Sequence, residues 1–594
     1  MREISRNVLV LGDNDLASLA IVRSMGRAGL KVHLAAWEER LLTRASRYVS
    51  RILRLGDPLV DPDAFAAAVL REVQGTAYDL VIPVSDKSLV ALMPHASVLA
   101  ERTVFAAPDA RGYFVTHDKA ETLQIAQRCG LAVPRSVLVS RRDQLKGLAL
   151  PGAFPLVLKP VSSVLQGQTS RNEVRIARSE DELRQRLPAM MDRAPVLVQA
   201  FCPGRGMGLD VLSVRGEIVA AFQHERVHEP PEGGPSSYRK SAPLDPDLLR
   251  AAGSFCAELR FTGPAMFEFK VDPASRAAVL MEVNGRFWGS LALSIQAGVD
   301  FPLLLYECLV LGNEVRVFDY KIPFFVRHTM RDVQWLVKNF RAPANRPEII
   351  KVKLKDLLKE PLNFFLFREG YDIESLTDPL PAVVAWSQLL LNALRKCKER
   401  ALMGWMRGRC AWLKRRIRTG GLIVQEMRRA SSVLFLCYGN IHRSPFAAKC
   451  FERLLRGGSV PRVRSAGFHG RENRSPSDLS IQVAHEQGID LSAHQSKCAT
   501  AAMIEEAQLI FVMEVGHLVM LGKMDPRALS KAVLLSAFDR EDDRLDIEDP
   551  YGKGRAVYQE VFRRIRRSVD GLGALLERSD PAGDNPGPAP GHAS

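Results

Sequence analysis

Val433-Leu434-Phe435-Leu436-Cys437-Tyr438-Gly439-Asn440-Ile441-His442-Arg443-Ser444 places four apolar residues directly before a cysteine, with an arginine six positions after it. A short apolar run bounded by turn residues predicts a buried strand, so Cys437 stands at its end and the residues up to Arg443 must curl. In so short a loop the backbone N–H groups converge on one point and form an anion nest. Its field, with the Arg443 guanidinium, favours a thiolate at Cys437. Gly439 and Asn440 are residue types that tolerate the positive φ of such a curl. Arg443 offers a planar fork for two phosphoryl oxygens, and the Ser444 hydroxyl is placed to bond the sulfur. The plainer reading is an unreactive buried cysteine beside an incidental arginine. The position after a strand favours the phosphate-binding nucleophile.

Two later stretches, Val463-Arg464-Ser465-Ala466-Gly467 and Ile547-Glu548-Asp549-Pro550-Tyr551-Gly552, follow in order. Together with the cysteine loop, residues 431–579 resemble the low-molecular-weight protein tyrosine phosphatases. The resemblance implies a doubly wound parallel sheet and a cysteinyl-phosphate mechanism needing no cofactor. Cys437 is then the nucleophile, with Arg443, Ser444 and Asn440 in its loop. Asp549 is the acid that protonates the leaving phenolate and then the base for the hydrolytic water. An ordinary Asp-Pro turn is the alternative for Asp549. It also implies a phosphotyrosine protein as substrate, and for bacterial members often a tyrosine kinase of polysaccharide export. Many members carry a second cysteine in the loop where this chain has His442, so a protective disulfide inside the loop is excluded. Arsenate reductases on the same scaffold use a relay of cysteines. Only Cys450 and Cys498 follow here, and that reading ranks lower.

At 594 residues the whole chain is too long for one core and suggests about three to five structural units. The composition, 46% hydrophobic and 25% charged, is that of an ordinary soluble protein. Nine cysteines without C-x-x-C spacing argue against a zinc site or a disulfide framework and fit a reducing cytoplasm. No signal-peptide core opens the chain, and no run of about 18 apolar residues suggests a spanning helix. The formal charge of +15 concentrates in residues 394–430, where Arg and Lys alternate with Leu402, Trp405, Met406, Trp412 and Ile417. Two readings stand for this basic amphipathic linker. Residues 395–418 lie on an anionic membrane at the inner face, or the helix covers an apolar edge of a neighbouring domain. No basic-recognition motif accompanies the run, so nucleic acid is not expected.

Residues 1–103 alternate strand and helix: 8–11, 17–28, 31–34 and 78–83. They predict a small parallel α/β domain; Gly12 lacks the companion glycines of a dinucleotide fingerprint. Over 104–315, Lys119 opens a helix after Asp118, Lys159 ends the strand 154–160, and 196–201 is a further strand. Alternation in 265–271 and 278–283 gathers Glu268, Glu282 and Asn284 at one edge with Arg286 nearby. These hard oxygen ligands suit magnesium on nucleotide phosphates.

With Met281-Glu282-Val283-Asn284-Gly285-Arg286-Phe287-Trp288-Gly289-Ser290 as its most specific part, the region 1–315 resembles the ATP-grasp superfamily, in its carboxylate–amine ligase and carbamoyl-phosphate-synthase-like branch. The resemblance implies ATP and Mg²⁺ as cofactors and small carboxylate and amine substrates. Lys119 and Lys159 then hold ATP phosphates, and Gln199 and Phe201 lie on the hinge strand at adenine. Glu268, Glu282 and Asn284 bind magnesium, and Arg286 steadies the acyl-phosphate transition state. Arg239 is the candidate anchor for a substrate carboxylate or phosphate. Solvated strand ends and exposed-face glutamates are the plainer reading of these residues. Residues 316–393 read as a helical tail packing back on this core, and 580–594 as a disordered tail. The fold class is therefore multidomain α/β: an ATP-grasp region followed by a phosphatase sheet. The functional reading is a bifunctional enzyme. The alternative is an N-terminal half that binds ATP without turnover and regulates the phosphatase.

Overall fold

The computed structural model describes residues 4–12, 15–38, 41–162, 164, 173–230, 234–272, 274–341, 352, 357–418, 430–455 and 462–577. Residues 163 and 165–172 fall outside them, as do 419–429 of the linker and the C-terminal tail. Two compact units emerge, residues 1–388 and 389–594.

In the N-terminal unit the first sheet is wholly parallel, in the order Val49–Arg54, Lys31–Ala36, Asn7–Leu11, Leu80–Pro83, Val104–Phe105. Its central strands are continuous apolar runs because both faces are covered; Val8, Leu9, Val10 and Leu11 have no exposed surface. The helix Lys119–Arg128 starts where the Asp118 carboxylate accepts the N–H groups of Ala120 (2.8 Å) and Glu121 (3.1 Å). A four-stranded sheet follows, ordered Ser136–Val139, Val196–Ala200, Leu156–Pro160, Arg175–Ala177, all pairs antiparallel.

The largest sheet has seven strands: Ala278–Asn284, Gly263–Val271, Arg205–Val214, Glu217–His228, Tyr238–Ala242, Phe325–Arg327 and Glu369–Tyr371. The last two belong to the region expected to be a helical tail. Among its described residues it is helical at Thr329–Arg341, at Pro361–Phe365 and from Leu380 onward, and its two three-residue strands are too short for alternation to show. Three polar groups fasten it. Arg23 is buried, donating to Asp378 (2.9 Å) and to the carbonyls of Ile373 (2.7 Å) and Asp378 (2.9 Å). Buried Arg239 is paired with Asp372. His228 lies between Asp332 and Glu360, each 2.7 Å from one ring nitrogen, while Arg327 binds Asp332, Glu360 and Glu369 and Trp335 stacks on the imidazole.

Burial disfavours the charged form of His228, but hydrogen bonds to Asp332 and Glu360 outweigh it and hold the pKa above its ordinary value. The folded state thus binds this proton more tightly than the unfolded chain. The resulting stability is fully present below about pH 6.5, the unfolded value, and is lost as pH rises through the raised folded value. Thermal unfolding of the N-terminal unit should shift to lower temperature across that rise, and His228→Gln should flatten the slope. Calorimetry between pH 6 and 9 checks it; an identical slope in the variant would assign it to other groups.

The C-terminal unit is built on a parallel sheet ordered Arg462–Gly467, Ser432–Cys437, Leu509–Val512, Ala532–Leu534. Apolar layers cover both faces, with Phe446 and Phe562 stacked on one side and Leu518 and Leu521 on the other. The helix of the basic segment runs over Leu380–Arg418, beginning earlier than the linker expected at 394. Within the C-terminal unit, one face of it is docked. Met406, Cys410 and Ile417 are buried, and Lys414 Nζ donates to the carbonyls of Ser536 (2.8 Å) and Asp542 (2.6 Å). The packing reading of the segment accounts for this face.

Candidate active sites

Cys437 ends the central parallel strand, at the carboxyl edge of the sheet where α/β folds bind ligands. The loop returns into the helix Arg443–Leu454. Of the two residues expected to supply a left-handed turn, only Asn440 does so, with φ 51°; Gly439 does not. Asn440 brackets the whole loop. Its N–H donates to Cys437 Sγ (3.2 Å), and its amide donates to Ser444 Oγ and Ser465 Oγ (both 3.0 Å) and accepts from Lys497 N (2.8 Å). Such a side chain, able to donate, accepts and tolerate αL, explains why Asn stands there. Ser444 Oγ lies 3.1 Å from the sulfur. Beneath the loop Gly467 is obligatory, because a Cβ there would meet Asn440 N and Tyr438 O at 2.8 Å.

Arg443 is buried, and both terminal nitrogens of its guanidinium have partners. It binds Glu514, the Ile547 carbonyl (2.8 Å) and Asp549 Oδ2 (2.6 Å). The arginine and the Asp549 carboxylate, distant in sequence, therefore meet at the sulfur. A cavity of about 210 Å³ opens over them, with Tyr438 and Tyr551 exposed at its mouth and Arg474 in its wall. Arg474 also donates to the Gly439 carbonyl (2.7 Å). The slot suits a flat aromatic ring with a phosphate at its inner end.

The second site lies on the seven-stranded sheet. Glu268 and Glu282 are direct cross-strand partners, and Asn284 Nδ2 donates to Glu282 Oε1 (3.4 Å). Lys119 Nζ is 3.8 Å from Glu282, and Arg226 binds Glu268 at 2.8 Å. Burial pushes the Lys159 ammonium down, against the raising influence of Glu282. Burial would raise Glu282, but Lys119 and Lys159 outweigh it and hold that carboxyl below its ordinary value. Two carboxylates and an amide oxygen backed by two lysines fit the donor set of a magnesium ion carrying nucleotide phosphates. Arg286 forks onto Asp86, at the start of the helix Asp86–Leu92 that follows the strand Leu80–Pro83 (2.8 and 3.0 Å), and donates to Asn284 (3.1 Å). Glu268, Glu282, Asn284, Arg286 and Arg239 line one cavity of about 590 Å³. Gln199 and Phe201 are not among its lining residues: the Gln199 amide is buried against Ser136 Oγ (3.1 Å), and Phe201 lies just past the strand end. Arg239 reaches the wall already paired with Asp372, so an anchoring role would compete with that ion pair.

The low molecular weight phosphotyrosine protein phosphatase model matches residues 432–582. A putative low molecular weight protein-tyrosine-phosphatase of Klebsiella pneumoniae is 31% identical over 139 residues, covering 23% of this chain and 92% of that protein. The chain belongs to this phosphatase family. The Wzb phosphatase of Escherichia coli K12 is 32% identical over 140 residues, 23% of this chain and 90% of that one. Residues 192–328 match a model described as ATP-grasp in the biosynthetic pathway with Ter operon. The biotin carboxylase domain of Hydrogenobacter thermophilus 2-oxoglutarate carboxylase, solved with MgADP and bicarbonate, covers 55% of this chain and 74% of its own at 15% identity and TM-score 0.44. The protein is thus an enzyme with a low molecular weight tyrosine phosphatase domain and an ATP-grasp domain.

In this phosphatase, His442 takes the position expected to exclude a loop disulfide. Burial pushes its pKa down to about 4, so the imidazole is neutral, and its Nε2 lies 3.4 Å from Tyr558 OH. Neither Cys450 nor Cys498 lines the cavity over Cys437, which leaves a cysteine relay without its second member there. Sequence reasoning missed Glu514, Arg474, Asp86 and Arg226, each an ordinary charged residue whose partner is remote in the chain. It also missed His224. One cross-strand row runs His224, Gly208, Glu268, Glu282. A Cβ at Gly208 would lie 2.2 Å from the His224 ring, so the glycine makes room for it. Fully buried Asp210 is 3.1 Å from His224 Nδ1, and Ser290 Oγ is 3.3 Å from Nε2.

Proposed function

We propose that the C-terminal domain hydrolyses phosphotyrosine in proteins and that the ATP-grasp domain joins a carboxylate to an amine at the expense of ATP. The phosphatase reading rests on the Cys437 sulfur receiving the Asn440 N–H while the buried Arg443 lies beside it with Asp549. The Arg443 fork, now held by Glu514 and Asp549, turns to the phosphoryl oxygens, with Glu514 keeping the guanidinium in plane. The Cys437 thiolate forms an S–P bond as the P–O bond to the phenol breaks, and Asp549 gives its proton to the phenolate oxygen. Water then attacks phosphorus, Asp549 takes its proton, and the thiolate leaves with inorganic phosphate released. A thiolate nucleophile requires a reducing compartment, which supports a cytoplasmic setting. By family analogy the substrate is a tyrosine kinase of bacterial polysaccharide export.

Asp549→Asn should slow turnover of phosphotyrosine by about 10²–10⁴-fold, and far less for an aryl phosphate whose leaving group needs no proton. Equal losses on both substrates would remove Asp549 from the acid role.

For the ATP-grasp domain the supporting observation is the register pair Glu268 and Glu282 with Lys119 and Asn284 around them. Glu268, Glu282 and Asn284 would hold a magnesium ion there, which would supply positive charge against the phosphates of ATP. Lys119 and Lys159 would hold the phosphates, and Arg286, fixed by Asp86, would face the charge that develops on the transferred phosphoryl group. His224 stands about 10 Å from Glu268, two strand spacings away. Held by Asp210, it is placed to take the proton of the attacking amine as phosphate leaves. ADP release that depends on both an added carboxylate and an added amine tests this reading. ATP binding without such release would instead make the domain a sensor.

A further inference from the structure

Beyond its two chemistries, the protein presents an unusual helix face. The helix Leu380–Arg418 docks Met406, Cys410, Lys414 and Ile417 on the phosphatase domain. At positions three and four apart, Leu391, Leu394, Lys398, Leu402, Trp405, Arg409, Trp412 and Arg416 share another face. Trp405 is 61% exposed, Trp412 54% and Leu394 57%. From residue 406 on, the docked residues lie on a neighbouring face of the helix, which leaves these indoles exposed beside a packed flank.

The charges on this face decide its occupant. Every charged member of the stripe is cationic. The acidic residue of the segment, Glu399, lies off the stripe and pairs with Arg395 (3.5 Å). Arg409 lies over the Trp405 ring at 6.0 Å and Arg416 over Trp412 at 4.7 Å, so each indole is flanked by a guanidinium at the same level. From Leu391 to Arg416 the stripe is about 38 Å long at 1.5 Å per residue, a line that a plane meets at all positions together. No single helix among the described residues is long and apolar enough to cross a membrane, so any attachment through this helix lies on the surface.

We infer that residues 391–416 bind the surface of an anionic phospholipid bilayer, with Trp405, Trp412, Leu394 and Leu402 entering the interface and Lys398 and Arg416 meeting lipid phosphates. Indoles prefer this depth, and long cationic side chains reach the headgroups from it. No residue of the stripe lines the Cys437 cavity.

The test uses the full chain and sedimentation with two vesicle compositions, phosphatidylcholine alone and phosphatidylcholine with about one-third phosphatidylglycerol. The protein should sediment with the anionic vesicles at low salt, stay in solution with the neutral ones, and be released at roughly 0.5 M salt, where surface charges are screened within a few ångströms. Trp405→Ser with Trp412→Ser should lower the partition coefficient about tenfold or more, and Lys398→Glu with Arg416→Glu should abolish the preference for phosphatidylglycerol. Aryl phosphate hydrolysis in both variants, unchanged, certifies their folding. Equal binding to both compositions, or undiminished binding by the tryptophan variant, would overturn the inference. Failure to bind vesicles, with retention instead of a soluble acidic polypeptide, would assign the stripe to a protein and overturn it as well.

Discussion

Cys437→Ser should reduce aryl phosphate hydrolysis by at least about 10⁴-fold, to the limit of detection, while phosphate or tungstate still binds with affinity changed by less than about tenfold. The asymmetry follows from what the sulfur does and does not do. A serine hydroxyl is not ionised near neutral pH, so no nucleophile is available for the S–P bond. The loop that holds the anion depends on other groups. Asn440 is tied to Ser444, Ser465 and Lys497, and Arg443 is fixed by Glu514 and the Ile547 carbonyl. None of these bonds involves sulfur, so the nest survives its loss. Steady-state kinetics on an aryl phosphate, with calorimetric titration of the oxyanion, separates the two effects. Substantial turnover by the serine variant would rule out Cys437 as nucleophile, and parallel loss of binding would show that the sulfur shapes the loop.

Glu282→Ala should eliminate magnesium-dependent ATP turnover and weaken MgATP binding about tenfold or more. Glu282 opposes Glu268 in register, binds Asn284 and faces Lys119, so its removal takes away a metal ligand and leaves the two lysines without their compensating charge. The aryl phosphate rate should stay within about threefold of the parent, because the phosphatase domain has its own sheet and core. Filter binding of nucleotide and the phosphatase assay read the two halves separately. Unchanged MgATP affinity would dismiss the metal site. A collapse of phosphatase activity in the folded variant would show that nucleotide occupancy governs the second enzyme.

The reach of sequence reasoning differs between the sites for a physical reason. Cys437, Asn440, Arg443 and Ser444 act through local geometry, a strand followed by one loop, and local geometry is written in adjacent residues. Glu268, Glu282 and Asn284 were legible because strand alternation puts them on one face. Glu514 and Asp86 were not, since each meets its arginine across the fold: 71 residues separate Arg443 from Glu514, and 200 separate Asp86 from Arg286. His224 was hidden for a subtler reason. Its meaning depends on Gly208 leaving a gap in the neighbouring strand, and an isolated histidine on a strand signals nothing. The tail's two strands escaped notice because three residues cannot display a period. The basic helix was read as offering two alternatives, and the fold satisfies the packing one with a single face.

The seam made by residues 369–378 sets apart two boundaries that are easily confused, the end of a family match and the end of a foldable body. The family match in the N-terminal half ends at 328, yet the strand Phe325–Arg327 has Glu369–Tyr371 as its outer neighbour, and Arg23, near the start of the chain, finds its acid at Asp378. A fragment cut where the likeness ends would bare a sheet edge and strand a buried guanidinium, a loss of about 3–5 kcal/mol for the ion pair alone. The folding boundary of this unit therefore lies past Asp378, because residues near both of its ends are satisfied only together.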